Sequence, residues 1–489
     1  MYKFIKFITI CASAILSSFN ISFAQEPERL TPIIDKVAHV YGVEKLNNAR
    51  TVRVEEDIRI NYADHAFSPA FNQFTHGRRS FVFDLKNKKG SGEYYTNFSG
   101  NHNHAREFKH EDEFIMIEYG NSTYIPRPNG SYYAFFGAAI RGSDTLLANA
   151  LIENRARAKD KGQKFWQGEP HNIISIDFPS SPPLDLYINK NTGYISKMAR
   201  TVGEGDDSII VSYTFNDHTK KKGVVFAQES TVFIGADLLQ YSFNRKVVLN
   251  AKADRNDFKL DAGIVKEPAR MDTSEMTADR ISARSHHVGQ DGRYTTFIDM
   301  GDYIVGLGAY AGLADKFAAY KAETKSTKPL TYLLVTDHHE GESMGAVDAV
   351  KLGATLIATP GSKPTLERLL AEFDAPSKIE YVDDVFQVGD IQFINLSTGH
   401  AENVLVAYSA ADKLLFQTEH YVNPYASEVF YTKNSAVTLY NALKRKGLDI
   451  DTFIDAESRR PETWANFEMA IKAHKPKYCP PKRQICKGF

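Results

Sequence analysis

The period of the hydrophobic pattern changes once along the chain, near residue 270, and this switch limits the fold more than any other feature. Across residues 80–258 polar residues alternate with aromatic or β-branched ones, as in Ser80-Phe81-Val82-Phe83 and at 113–119, 184–188 and 208–213. A period of two puts alternate side chains on opposite faces, so these runs predict strands of a curved antiparallel sheet. Asn189-Lys190-Asn191-Thr192-Gly193 is a turn cluster between two such runs, and helical period is weak apart from 143–158. After the switch, strands (295–299, 303–307, 330–335, 356–358, 391–396, 404–408, 414–417) alternate with helices (311–324, 344–352, 363–373). That order predicts an α/β layered domain. At 489 residues the chain exceeds what one hydrophobic core organises. Two domains are therefore expected, a β-rich one over 25–270 and a layered one over 286–475, joined by a polar linker at 271–285.

The ends carry their own signals. Lys3 and Lys6 precede an apolar run at 7–19, and Ser22-Phe23-Ala24 is a small-x-small cleavage site, the pattern of a secretory signal peptide over 1–24. The run is shorter than the roughly 20 residues needed to span a bilayer. The expected mature chain begins at Gln25 and is periplasmic or secreted, with no transmembrane segment after cleavage. In that compartment Cys479 and Cys486, within a tail at 476–489, are expected to form a disulfide. Lys and Arg number 59 against 60 Asp and Glu. That balance leaves no basic footprint for nucleic acid. His102, His104 and His110 lie close together, but nothing around them orients them as ligands, and a solvated loop is expected there.

The segment with chemistry follows a buried strand. Leu334-Val335-Thr336 leads into Asp337-His338-His339-Glu340-Gly341-Glu342 and then a helix opened by Met344-Gly345, so ligand-type side chains sit where strand gives way to helix. Thr336 through Gly345 resembles, without gaps, the signature Thr-His-x-His-x-Asp-His-x-Gly-Gly of the metallo-β-lactamase superfamily, and Gly353-Ala354-Thr355 is similar to its Gly-Ala-Thr strand. The resemblance covers about 190 residues and implies an αββα metallo-β-lactamase-type sandwich. It places the metal ligands at Asp337, His339, Glu342, His400 (in Thr398-Gly399-His400), Glu419 (where the family has a bridging Asp) and Glu457. Gly341 stands where the family has an Asp that serves as ligand and orients the nucleophile.

Two of these seven positions keep His and four carry a carboxylate, an oxygen-rich set. Zinc prefers His nitrogen and Cys sulfur, whereas oxygen-rich shells suit Mn, Mg, Ca or Fe. The resemblance thus implies a divergent metal-dependent hydrolase of ester, amide or similar bonds, slower than its relatives, whose cofactor is Mn, Fe, Ca, Zn or none. The first half resembles LolA-like envelope half-barrels through the strand–turn–strand run 184–200 and the run 222–235, which implies a concave apolar face for a small-molecule or lipid-like ligand. The alternative function is therefore a non-catalytic periplasmic binding protein, a pseudo-enzyme whose N-terminal sheet holds an apolar ligand. In it His338, His339, His400, His420 or Arg459 would neutralise the clustered carboxylates.

Overall fold

The computed structural model describes residues 26–61, 65–69, 74–98, 100–127, 136–178, 182–203, 205, 208–250, 257–371, 378–426 and 432–474. The expected leader with its cleavage site at Ala24, and Cys479 and Cys486, lie outside the described residues. The fold is large and mostly β, with three sheets among those residues.

The first is fourteen-stranded. Its centre is Val52–Asn61, where Val52, Val54, Ile58 and Ile60 are buried in the alternation that a half-buried strand requires. This strand pairs antiparallel with Phe74–Asp84 on one side and with Asp237–Leu249 on the other. Helices Glu26–Tyr41 and Asp144–Glu153 pack on one face, where Leu30, Ile34, Val37, Leu147 and Leu151 meet Val54, Phe83, Ile174, Leu186 and Met198 in one core. The apolar face is thus largely filled by the chain's own helices. Tyr41 Oη accepts the Ile195 N–H at 3.0 Å, and Asp144, fully buried, accepts that of Ala227 at 3.0 Å, which fixes both helices to the sheet.

Two expectations need correction here. Asn101–His110 is a strand paired with Lys89–Phe98, not a solvated loop. His104 is buried with Nε2 2.8 Å from Glu93 Oε1 and its ring stacked 4.2 Å from Tyr119. A paired carboxylate satisfies the imidazole, so polar text runs through the sheet. The expected linker also contains an edge strand, Thr277–Arg280, paired with Ser285–Gln290. Edge strands tolerate such polar sequence because one side faces solvent.

The remaining sheets belong to the second half. A seven-stranded sheet runs from Thr277–Arg280 to Ile379–Tyr381, and a six-stranded one from Val385–Val388 to Glu462–Thr463. Ile298, Val305, Leu307, Leu334 and Ile357 of the former share a core with Phe393, Leu405, Ala407, Phe416 and Ile454 of the latter. Helix residues Leu313, Phe317 and Leu366 cluster with the seven-stranded sheet, and Leu439, Leu443 and Phe467 with the six-stranded one. The halves also touch each other. Tyr425 Oη donates to Glu267 Oε1 at 2.7 Å, and Glu402 N–H donates to the Phe67 carbonyl at 2.8 Å.

Candidate metal centre

Strand Leu330–Leu334 is buried in the seven-stranded sheet, and the chain leaves it toward the second sheet, where Thr336 accepts the Leu405 N–H through its carbonyl at 2.7 Å. The loop that follows is internally tied: Asp337 Oδ1 accepts the His339 N–H at 3.0 Å, and Ser343 Oγ donates to the His339 carbonyl at 3.1 Å. Gly345 closes the loop. A Cβ there would meet the Tyr310 carbonyl at 2.6 Å, so glycine lets the helix start against that backbone.

The other donors come from strand ends of the six-stranded sheet. His400 follows Ile391–Leu396, its N–H bonded to Thr398 Oγ1 at 3.2 Å. Glu419 follows Leu414–Gln417 with φ 63°, a left-handed conformation that non-glycine residues adopt at a cost of about 1–3 kcal/mol and that clusters at functional sites. Glu457 follows Thr452–Asp455, and Asp455 Oδ1 accepts its N–H at 2.7 Å.

These loops converge. Donor atoms of Asp337, His339, His400 and Glu419 all lie within 4.8 Å of one another, as do those of Glu342, Glu419 and Glu457. All six residues that the sequence motif singles out therefore fall in two adjoining groups, with Glu419 common to both. Three buried atoms here lack a hydrogen-bond partner: Asp337 Oδ2, His339 Nδ1 and Glu342 Oε2. Leaving a buried polar atom unpaired costs about 1–3 kcal/mol, more for a charged one. His339 Nε2 donates to the Ala66 carbonyl at 3.3 Å, so Nδ1 is the ring nitrogen left to the site, 3.5 Å from Asp337 and 3.6 Å from Glu419. Asp337 and His339 belong to the first group and Glu342 to the second, so each group includes a residue with a buried, unpaired donor atom, which fits a divalent cation.

The charge distribution points the same way. Burial, with Glu419 and Asp337 close by, pushes the Glu342 carboxyl up to about 11, and burial beside Glu419 raises Glu457 to about 7. His339 shows the converse. Burial alone would lower it, but Asp337 and Glu419 overcome that and raise it to about 9. Glu419 is held well below the usual carboxylate range, because the His339 and His400 imidazoles outweigh its burial. His400 Nε2 donates to Glu419 Oε2 at 2.5 Å.

Of the expected cationic partners, only His339 and His400 face the carboxylates. His338 Nε2 donates to the Ala66 carbonyl at 2.8 Å. His420 donates from Nδ1 to the Thr418 carbonyl at 2.7 Å and meets Thr398 Oγ1 at 2.8 Å through Nε2, and burial lowers it to about 4. Arg459 pairs with Asp279 at 2.9 Å instead. One residue that sequence reasoning missed is Tyr310, whose hydroxyl lies 3.2 Å from Glu342 Oε1 and 3.5 Å from Glu457 Oε1. Its position just beyond strand Ile304–Leu307 was the available signal.

No family model matches the chain, and no curated protein does. Part of the chain is similar to metallo-β-lactamase structures. One, from Hirschia baltica, is 16% identical, covers 40% of this chain and 96% of its own, with a TM-score of 0.32. The metallo-β-lactamase FIM-1 from Pseudomonas aeruginosa, in its mono-zinc form, is 12% identical and covers 42% of this chain and 96% of its own, with a TM-score of 0.34. The flavodiiron core of Flv1 from Synechocystis is 15% identical, covers 42% of this chain and 60% of its own, with a TM-score of 0.30.

Beside the metallo-β-lactamase signature, the departure at Gly341 has a spatial counterpart. No heavy atom lies within 4 Å of where a Cβ would stand, so the space beside the position at which the signature has its Asp is open.

Proposed function

We propose that the second half is an αββα metallo-β-lactamase-type domain holding one or two divalent cations in an oxygen-rich centre, and that the protein is a metal-dependent hydrolase of ester, amide or similar bonds. The observation that carries this reading is the shared Glu419 between two donor groups with three unpaired buried atoms. Asp337, His339, His400 and Glu419 would hold one ion, and Glu342, Glu419 and Glu457 a second. A divalent ion supplies Lewis-acid polarisation of the scissile group and activation of water. Carboxylates on these ligands offset much of the ion's charge, which favours Mn, Fe or Ca over a His-rich zinc centre and slows hydrolysis. The Tyr310 hydroxyl, between Glu342 and Glu457, donates to whichever carboxylate is ionised and orients it.

Turnover of chromogenic esters and amides by metal-supplemented protein tests the reading. We expect slow hydrolysis that chelator and Glu419→Ala both abolish. Absence of turnover across the panel in metal-loaded protein would leave binding alone.

That second reading, a non-catalytic envelope protein, is favoured by one observation. The His400–Glu419 hydrogen bond closes part of the site without an ion. Its ligand space would be the cavity of about 190 Å³ on the first sheet, lined by Val54, Phe81 and Val232 together with Glu56 and Arg245. Under either reading we place the protein outside the cytoplasm, exported by residues 1–24, with Cys479 and Cys486 disulfide-bonded. Among the described residues no helix is long and apolar enough to cross a membrane.

A further inference from the structure

The donors considered so far come from the second half, yet one segment of the first half reaches them. Between strands Val52–Asn61 and Phe74–Asp84, residues 65–67 contact residues of the centre and its loops. Ala66 is buried, and its carbonyl accepts from both His338 Nε2 at 2.8 Å and His339 Nε2 at 3.3 Å. The Phe67 carbonyl accepts the Glu402 N–H at 2.8 Å, two residues beyond His400. The His65 imidazole rests against His339, with ring centroids 4.9 Å apart and planes at 57°, while His339 lies 4.8 Å from His400.

We propose that this segment completes the metal centre, with His65 supplying a third imidazole nitrogen to the ion held by Asp337, His339, His400 and Glu419, and the Ala66 carbonyl fixing the ligating tautomer of His339. The inference rests on the reading of this site as a metal centre. Metal-bound histidines ordinarily donate their second ring N–H to a carbonyl or carboxylate, which orients the ring and sets which nitrogen is free. Ala66 does this for His339. It leaves Nδ1, the unpaired buried atom, facing Asp337 and Glu419.

The second half alone offers two imidazoles and two carboxylates to this ion. A borderline divalent ion such as cobalt, iron or zinc binds imidazole well. Of the further imidazoles that adjoin the group, His338 gives its Nε2 to the Ala66 carbonyl and His420 has both ring nitrogens bonded, whereas the His65 ring rests on His339. A centre built this way depends on both halves. Its first coordination shell would be complete only when the strand-connecting loop of the first sheet is docked, so metal binding also ties the two halves together.

Cobalt(II) binding to the full chain, by competition with a chromophoric chelator and by the visible absorption of the bound ion, tests this. His65 is exposed, so His65→Ala is expected to fold with unchanged far-UV circular dichroism. Its cobalt affinity should fall by about 10–100-fold, and the absorption envelope should change with the lost nitrogen ligand. Glu419→Ala should bind no cobalt in this range. A His65→Ala protein with the unmodified chain's affinity and spectrum would overturn the role of His65 while leaving the metal centre standing. Failure of the unmodified chain to bind cobalt would overturn both.

Discussion

Stripping the protein of divalent ions and raising the pH from 7 to 8 should destabilise it, and the site sets the size of the effect. Glu342 holds its proton to about 11 and His339 to about 9, against 4.5 and 6.5 for the ordinary groups. Both folded values lie above the unfolded ones. Their contributions are complete below the unfolded values and are lost as pH climbs toward the folded ones, so both fall through the window 6.5–9. Across pH 7–8 the native state holds about two protons more than the unfolded chain, and at about 1.4 kcal/mol per proton per pH unit the loss approaches 2.7 kcal/mol. Glu457, raised to about 7 by burial and Glu419, and Glu107, raised to about 7 by burial, each add a fraction with the same sign, and Asp455, pushed well above the usual carboxylate range by burial and Glu457, adds to it. Lys316, lowered by burial to about 8, offsets part of it near the upper limit. His287 and His420, both lowered to about 4 by burial, act the opposite way but only below the ordinary histidine value of 6.5. The net expectation is a loss of at least roughly 2 kcal/mol. Urea unfolding at pH 7 and pH 8 measures it in a Trp166→Phe chain, where Trp464, packed on Phe453 and Phe467, is the remaining tryptophan of two. Glu342→Gln keeps the side chain's shape without a titrating proton and should roughly halve the loss. Equal or greater stability at pH 8, or an unaltered slope in Glu342→Gln, would refute the charge distribution described.

Two further outcomes follow from the sequence and the geometry. Because the space beside Gly341 is open, Gly341→Asp should fold normally and restore the carboxylate that the family signature carries there. Cobalt binding should tighten by about tenfold, or about 1.4 kcal/mol, and an unchanged dissociation constant would count against the alignment at that position. Intact mass under non-reducing conditions should show an exported chain beginning at Gln25 with Cys479 and Cys486 two hydrogens lighter than the dithiol; retained Met1 or two alkylatable thiols would reject these readings.

Local pattern made much of the architecture legible. Leu184–Asn189 alternates as expected, and the turn between it and Ile195–Val202 needs Gly193 at φ 81°. The positions of Asp337, His339, Glu342, His400, Glu419 and Glu457 came from the resemblance to the metallo-β-lactamase signature and the strands after it, whose short motifs are features of neighbouring residues. Pairing was not legible in this way. Val52–Asn61 lies against Asp237–Leu249, which no short-range pattern reports. His104 was misread because an isolated polar run does not reveal that Glu93, on the adjacent strand, satisfies it. Thr277–Arg280 was misread because a polar edge strand resembles a linker. His65 and Ala66 escaped notice since their place beside His339 depends on how the two halves dock, far beyond any local period.

Whether the pocket holds an ion is the most direct test of the account. Protein purified without chelator should contain Mn, Fe, Ca or Zn near one equivalent or more, and Glu419→Ala should contain none. Free metal at 100-fold above its dissociation constant adds about 2.7 kcal/mol of stability, so chelator should lower the melting temperature and added metal restore it. Metal-free protein that melts identically with chelator, without it and with added metal would contradict the account.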